Sequence, residues 1–339
     1  MKAIKAAEGL PKDWDSRIDR PGRGLLLAGG TTLLLAVSAL TGLFPTNLMR
    51  YLMQIFLYIT LGEAWNLLSG FAGLTSLGQQ LYVGLAGYTV AVVTGLLRGS
   101  MSAAVLAAAL VAVLAAVPVS FLLFRMRGMY FAVATWVVAE AAEKLFLNWT
   151  YVGQGSGMTV RLNPYPSVRT LYLLSLVVCV LTMLLIGALM RSKNGMGLMA
   201  MRDDPTAAAS IGISITGMRL TACVLSALLS GLAGALFFLN KGTIYPESGF
   251  AVSWTVSAVF ICIMGGTGTI GGPVAGAVIY VLLREYLAHY PGWSNIMLGV
   301  ITLAVIFFLP DGIVGTIQSR FISDGPKRDK MRMRSGYNV

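Results

Sequence analysis

Long apolar runs separated by short polar connectors dominate the chain, and within each run the apolar positions are continuous rather than alternating. Ten such runs lie at roughly 24–44, 50–69, 78–97, 102–124, 129–147, 170–190, 218–239, 252–265, 270–285 and 294–309. About 20 apolar residues suffice to cross a bilayer as a helix. Continuous runs of that length do not fit the period-two pattern of a membrane barrel. The pattern predicts an all-α, polytopic membrane helical bundle of about ten transmembrane helices, some of them broken or re-entrant.

Two runs are unlike simple spans. In "NLLSGFAGLTSLGQQLYVGLAGYTVAV", Asn66 to Val92, three glycines (Gly70, Gly73, Gly78) fall among Ser69, Thr75, Ser76, Gln79 and Gln80. Glycine weakens a helix by about 1 kcal/mol relative to alanine. Irregular backbone at membrane depth persists only where protein or a water-filled cavity covers it. A broken helix at 70–80 is expected, with free N–H groups able to face an anionic group. The second, "CIMGGTGTIGGPVAGAVIYVL", reads as a short helix, a glycine turn and another helix starting near Pro273. Gly272 and Gly276 have the GxxxG spacing of close helix packing. "LLSGFAG" at 67–73 and "LLSGLAG" at 228–234 raise the question of an internal repeat, for which chance in a Leu/Ala/Gly-rich chain is the simpler account.

Composition supports a membrane solvent. Only 12% of the 339 residues are charged, against about a quarter in soluble domains, and the mean hydropathy is +0.76. The net charge of +11 follows the connectors. With both termini placed in the cytoplasm, 18 of the 25 Lys/Arg lie inside, including Arg125, Arg127, Arg191, Lys193, Arg202 and Arg219 and both tails. That is the asymmetry of the positive-inside rule, and it removes the need for a nucleic-acid partner. Residues 1–23 read as a cytoplasmic tail rather than a signal peptide, residues 24–316 as the transmembrane domain, and residues 317–339 as a basic cytoplasmic tail able to touch anionic lipid.

The catalytic repertoire is thin. "GGTGTIGG" lacks the Lys-Ser/Thr of a phosphate loop. The single histidine, His289, leaves a hydrolase without a base, and Cys179, Cys223 and Cys262 sit in apolar runs as small core residues. No enzyme activity, metal or cofactor is expected. The intramembrane charges are Glu63, Glu140, Glu143 and Lys144. Glu140 and Lys144 have helical pair spacing and read either as a structural pair or as a polar wall of a translocation path. Glu63, one turn before the break, needs a reason to lie in hydrocarbon.

One connector is too elaborate to be only a connector. "NGMGLMAMRDDPTAAASIGIS", Asn194 to Ser214, offers Asp203 or Asp204 as a cap, Pro205 in a first turn and Gly212 as a stop. The expected product is a helix of about two turns on the cytoplasmic side, at about 203–212. Its apolar residues are mostly alanines, too small for a strong interfacial anchor. Close approach to another protein fits better.

Ala207-Ala208-x-x-x-Gly212 following Arg202-Asp203-Asp204 resembles the coupling-helix motif of ABC importer permeases. The form is similar to branched-chain amino acid permeases of the LivM type. "EAWNLLSGFAGLTSLGQQLYVGLAGYT" (63–89) resembles that family's first signature, with Gln79 where a histidine is frequent. "RGMYFAVATWVVAE" (127–140), "GGTGTIGGPVAGA" (265–277) and "FLPDGIVG" (308–315) resemble others, so the likeness spans roughly residues 50–316. The resemblance implies an inner-membrane permease subunit pairing with a homologous second permease. Two cytosolic ATPase subunits would dock on Arg202, Asp203, Asp204, Ala207, Ala208 and Gly212, and an extracytoplasmic solute-binding protein would deliver cargo. The implied cargo is a branched-chain or related small amino acid, with urea, short amides or another small organic solute as alternatives. Asn66, Ser76, Gln79, Gln80 and Glu63 are the expected path residues. A stand-alone ion-coupled carrier and a non-transporting scaffold are the readings from other classes.

Overall fold

The computed structural model describes residues 45–126 and 128–287, with 297 and 299–301. Helix α1 (Thr46–Asn66) runs into a wider π turn at Leu67–Phe71. After a non-helical stretch come α2 (Gln79–Gly95), α3 (Met101–Leu123) and α4 (Met129–Asn148). Short turns lead to β1 (Met158–Thr159) and α5 (Val168–Arg191). Next are α6 (Lys193–Asp203), α7 (Pro205–Ser210) and α8 (Ile215–Lys241). Strand β2 (Thr243–Ile244), α9 (Pro246–Gly249), α10 (Ser253–Gly265) and α11 (Gly272–Leu287) follow. The expected runs between 50 and 285 thus each fold as a helix within a few residues of the expected ends. The runs at 24–44 and 294–309, both tails, His289 and the 308–315 segment lie outside the described residues, apart from 297 and 299–301.

Four described stretches are long and apolar enough to cross a membrane: Met101–Leu123, Val168–Arg191, Ile215–Lys241 and Pro246–Gly265. At 1.5 Å per residue, the 17 residues of α2 and 16 of α11 cover about 25 Å, short of a hydrocarbon core of about 30 Å. α3 and α5 carry exposed apolar stripes, Leu106, Leu110 and Leu114 on one and Val177, Leu181 and Leu184 on the other. Such faces suit lipid rather than water.

α8 is the central helix, packed on α2 and α3, while α1 packs on α5, α8, α10 and α11. Small residues set these distances. A Cβ on Gly231 would stand 2.6 Å from Ala112 Cβ, and one on Gly234 2.8 Å from the Val83 backbone. The two similar heptapeptides share no structure: Leu228–Gly234 lies inside the unbroken helix α8, whereas Leu67–Gly73 holds the π turn after α1 and the start of the non-helical stretch. Gly272 and Gly276 bring α11 against the α10 backbone, where a Gly276 Cβ would meet Ile261 O at 1.9 Å.

The connectors sort to two ends. At one, β1 pairs antiparallel with β2, Met158 opposite Ile244 and Thr159 opposite Thr243, a small departure from a wholly helical chain. Val160 N–H extends the pairing to Gly242 O at 2.9 Å. Tyr165 clamps the same end by donating to Leu239 O, and burial pushes its phenol above the usual range. At the other end lie 72–78, 192–214 and 266–271.

Candidate functional site

The two broken segments meet. In the first, the π turn widens the helix, Leu74 N–H reaches back to Leu68 O at 2.8 Å, and Gly73 takes φ +69. Trp65 Nε1 clips the loop by donating to Ser76 O at 2.8 Å. Ser76 Oγ accepts from Gly78 N at 3.2 Å, and Leu77 N donates to Thr135 Oγ1 at 2.9 Å. In the second, α10 ends at Gly266 and Gly268, both with positive φ, and Thr269 Oγ1 caps α11 through Gly272 N at 3.1 Å.

Asn66 joins the breaks. It is fully buried, its Oδ1 accepts from Gly268 N at 2.8 Å, and its Nδ2 donates to Thr269 O at 2.9 Å. A weaker bond, 3.4 Å, runs from Nδ2 to Glu63 Oε2. Gly70 allows the approach, since a Cβ there would lie 2.6 Å from Gly268 N.

The carboxamides of α2 face different helices. Gln79 is fully buried against α8, where Nε2 donates to Ser226 Oγ at 3.1 Å and Oε1 accepts from Ser230 Oγ at 2.7 Å. Ser226 also donates to Ala64 O at 2.7 Å, tying in α1. Gln80, also buried, accepts from Thr255 Oγ1 of α10. Gln80 Nε2 and Glu63 Oε1 have no hydrogen-bond partner among the described residues. Glu140, Glu143 and Lys144 lie apart, as a local cluster in which Lys144 Nζ stands 3.3 Å from Glu140 and 3.0 Å from Glu143. Lys144 is mostly exposed there.

The 192–214 connector is two helices, not one. Ser192 caps α6 through Gly195 N at 3.3 Å. Asp204 caps α7, accepting from Thr206 N at 2.8 Å and Ala207 N at 3.1 Å, while Asp203 ends α6 and pairs with Arg202. α7 closes with Gly212 N on Ala209 O and Ile213 N on Ala208 O, the Schellman pattern, with Gly212 at φ +88. Thr206, Ala207, Ala209, Ser210, Ile211 and Gly212 are exposed. Ala208 is not: at 2% exposure it faces the protein's own interior and seats α7. The α6–α7 elbow touches the breaks through Arg202, whose Nη1 donates to Gly70 O at 2.9 Å.

With that geometry in place, sequence comparison decides the class. Residues 47–309 match the model of the branched-chain amino acid transport system permease component. The chain belongs to that family. This permease is 29% identical over 298 residues to the high-affinity branched-chain amino acid transport system permease protein LivM of Salmonella typhimurium, covering 76% of this chain and 68% of the relative. Identity to the LivM protein of Escherichia coli is 28% over the same shares. The fructose import permease protein FrcC of Rhizobium meliloti is 31% identical over 137 residues, 38% of each chain. No solved structure matches significantly.

Sequence reasoning missed several partners in this permease. Ser226, Ser230, Thr255, Thr135 and Thr269 were unremarked hydroxyls within apolar helices or a glycine turn. Helix α6 had one usable signal, Ser192 just ahead of Lys193.

Proposed function

We propose that this chain is one membrane-spanning subunit of an ATP-binding-cassette importer for branched-chain or related small amino acids. The observation that carries this reading is α7: a capped, closed two-turn helix whose outer face is small and exposed, at the same end as both helix breaks. A cytosolic ATPase subunit docks on that face. A second, homologous permease and a second ATPase complete the core, and an extracytoplasmic binding protein supplies solute. The chain crosses the inner membrane about ten times with both termini cytoplasmic. The path runs beside the breaks, bordered by Glu63, Asn66, Ser76, Gln79 and Gln80. The free atoms of Glu63 and Gln80 support this, because buried polar groups without partners are rare in packed helices.

The second reading keeps the architecture and changes the cargo to another small organic solute. The similarity to a fructose import permease is the observation behind it. A tagged chain purified from its native membranes is expected to bring down two ATPase subunits. Vesicles holding that complex, with its binding protein, are expected to take up labelled leucine in an ATP-dependent way, with isoleucine and valine competing. Competition by fructose or urea alone moves the cargo to the second reading. Uptake without any ATPase defeats both.

A further inference from the structure

Arg202 occupies an unusual position between a surface elbow and a buried break. It is the penultimate residue of α6, one step from the turn into α7. Its Nη1 donates to Gly70 O at 2.9 Å, 132 residues away. Gly70 lies in the π turn, and Leu74, four residues on, gives its N–H to Leu68 instead. The Gly70 carbonyl therefore lacks its usual helical donor, and a cationic N–H replaces it. The other edge of the guanidinium is held by Asp203: Nε and Nη2 both reach Oδ1 at 3.1 Å.

Gly73 clears room for this side chain on the first break, while at Gly268 on the second a Cβ would meet it only at ordinary contact distance. A Cβ at Gly73 would stand 2.8 Å from Arg202 Cγ and 3.2 Å from its Cα. A Cβ at Gly268 would stand 3.4 Å from Arg202 Nη1 and 3.4 Å from Gly70 O. Asn66 locks Gly268 to the first break from the membrane side. One planar cation thus ties the elbow that carries α7 to the π turn after α1, and Asn66, at the end of α1, bonds on to the glycine turn before α11. A guanidinium's donors keep a fixed angle to one another, so it passes on orientation as a single ammonium does not.

We infer that Arg202 is a positioning residue that transmits displacement of the α6–α7 elbow to the inner ends of the two broken helices. The inference rests on the reading of α7 as an ATPase docking helix. When the elbow shifts, Nη1 pulls on the Gly70 carbonyl, and the Asn66 bonds carry the shift to Gly268 and Thr269. Without Arg202 the elbow moves and the breaks do not follow. A bond that merely braced the loop would instead lower assembly and activity together.

The test uses the tagged complex from native membranes, with Thr75→Cys as an exposed reporter beside the first break. The three native cysteines are buried. Reaction of the reporter with a water-soluble maleimide is timed with and without ATP plus vanadate. With Arg202 present, nucleotide is expected to change the rate about fivefold or more, the range of ordinary coupling energies. In the Arg202→Gln complex, isolated through its bound ATPases, that response is expected to vanish. Equal responses in the two backgrounds overturn the link and leave the importer reading standing. If Arg202→Gln does not assemble, Arg202→Lys is timed in the same way, and an undiminished response there overturns it too. If no ATPase accompanies the unsubstituted chain, the functional reading fails and this inference goes with it.

Discussion

Asn66 Oδ1 accepts the backbone N–H of Gly268 at 2.8 Å, joining two helix breaks that lie 202 residues apart in the chain. The same side chain returns a bond to Thr269 O at 2.9 Å. One amide therefore satisfies a donor and an acceptor that the glycine turn leaves open. Asn66→Ala strands both in a buried site, at about 1–3 kcal/mol per group. The expected result is a clear fall in the melting temperature of the purified complex and reduced uptake at normal membrane levels. An unchanged melting temperature would show that the breaks hold together without it.

Gln79 makes a similar argument across α2 and α8. Its oxygen takes the Ser230 hydroxyl and its nitrogen feeds Ser226, which passes a bond on to Ala64 O. Gln79→Ala removes both and leaves a cavity, for an expected loss of about 2–4 kcal/mol. Ser230→Ala removes one bond only and is expected to cost about 1 kcal/mol. Denaturation of the two variants in detergent orders them. Equal losses would mean that Ser230 supplies most of the effect.

How much of this was readable in advance depends on range. The helix at Ser253–Gly265 was expected at 252–265, because an apolar run bounded by glycines needs no distant partner. α7 was legible for the same reason: Asp204, Pro205 and Gly212 carry their own geometry. The polar residues of the 63–80 segment were legible as unusual, but their partners were not. Ser226 is 147 residues from Gln79, and nothing in its own surroundings marks it. α6 hid behind Gly195 and Gly197, weak helix formers kept for packing: a Cβ on Gly195 would meet Leu189 O at 2.2 Å. The two-residue pairing of β1 with β2 is too short to leave any period in the sequence.

The proposed orientation rests on charge. Eighteen of 25 Lys/Arg fall on one side when both termini are cytoplasmic. A cysteine tag placed after Val339 is expected to resist a membrane-impermeant reagent in intact cells and to react after permeabilisation. Labelling in intact cells would reverse the last span and with it the ten-span count.

The surface of α7 gives the sharpest separation between folding and docking. Gly212 has φ +88 and open space around a built Cβ, so Gly212→Val is strained by backbone alone, by about 1–2 kcal/mol, without a clash. That distorts the end of α7 while sparing the membrane helices. Ala208→Glu forces a carboxylate into the chain's own interior, where an unpaired charge costs several kcal/mol, so it damages the elbow before any partner arrives. Ala209→Glu and Ile211→Glu place the charge on the exposed face instead. These two are expected to reach the membrane at normal levels, keep the melting temperature of the isolated subunit, and lose bound ATPase and uptake together. Ala208→Glu is expected to lower that melting temperature as well. A pull-down beside a thermal melt reads all four variants. Full ATPase binding by both Ala209→Glu and Ile211→Glu would move the docking surface away from α7, and the importer reading would lose the observation that carries it.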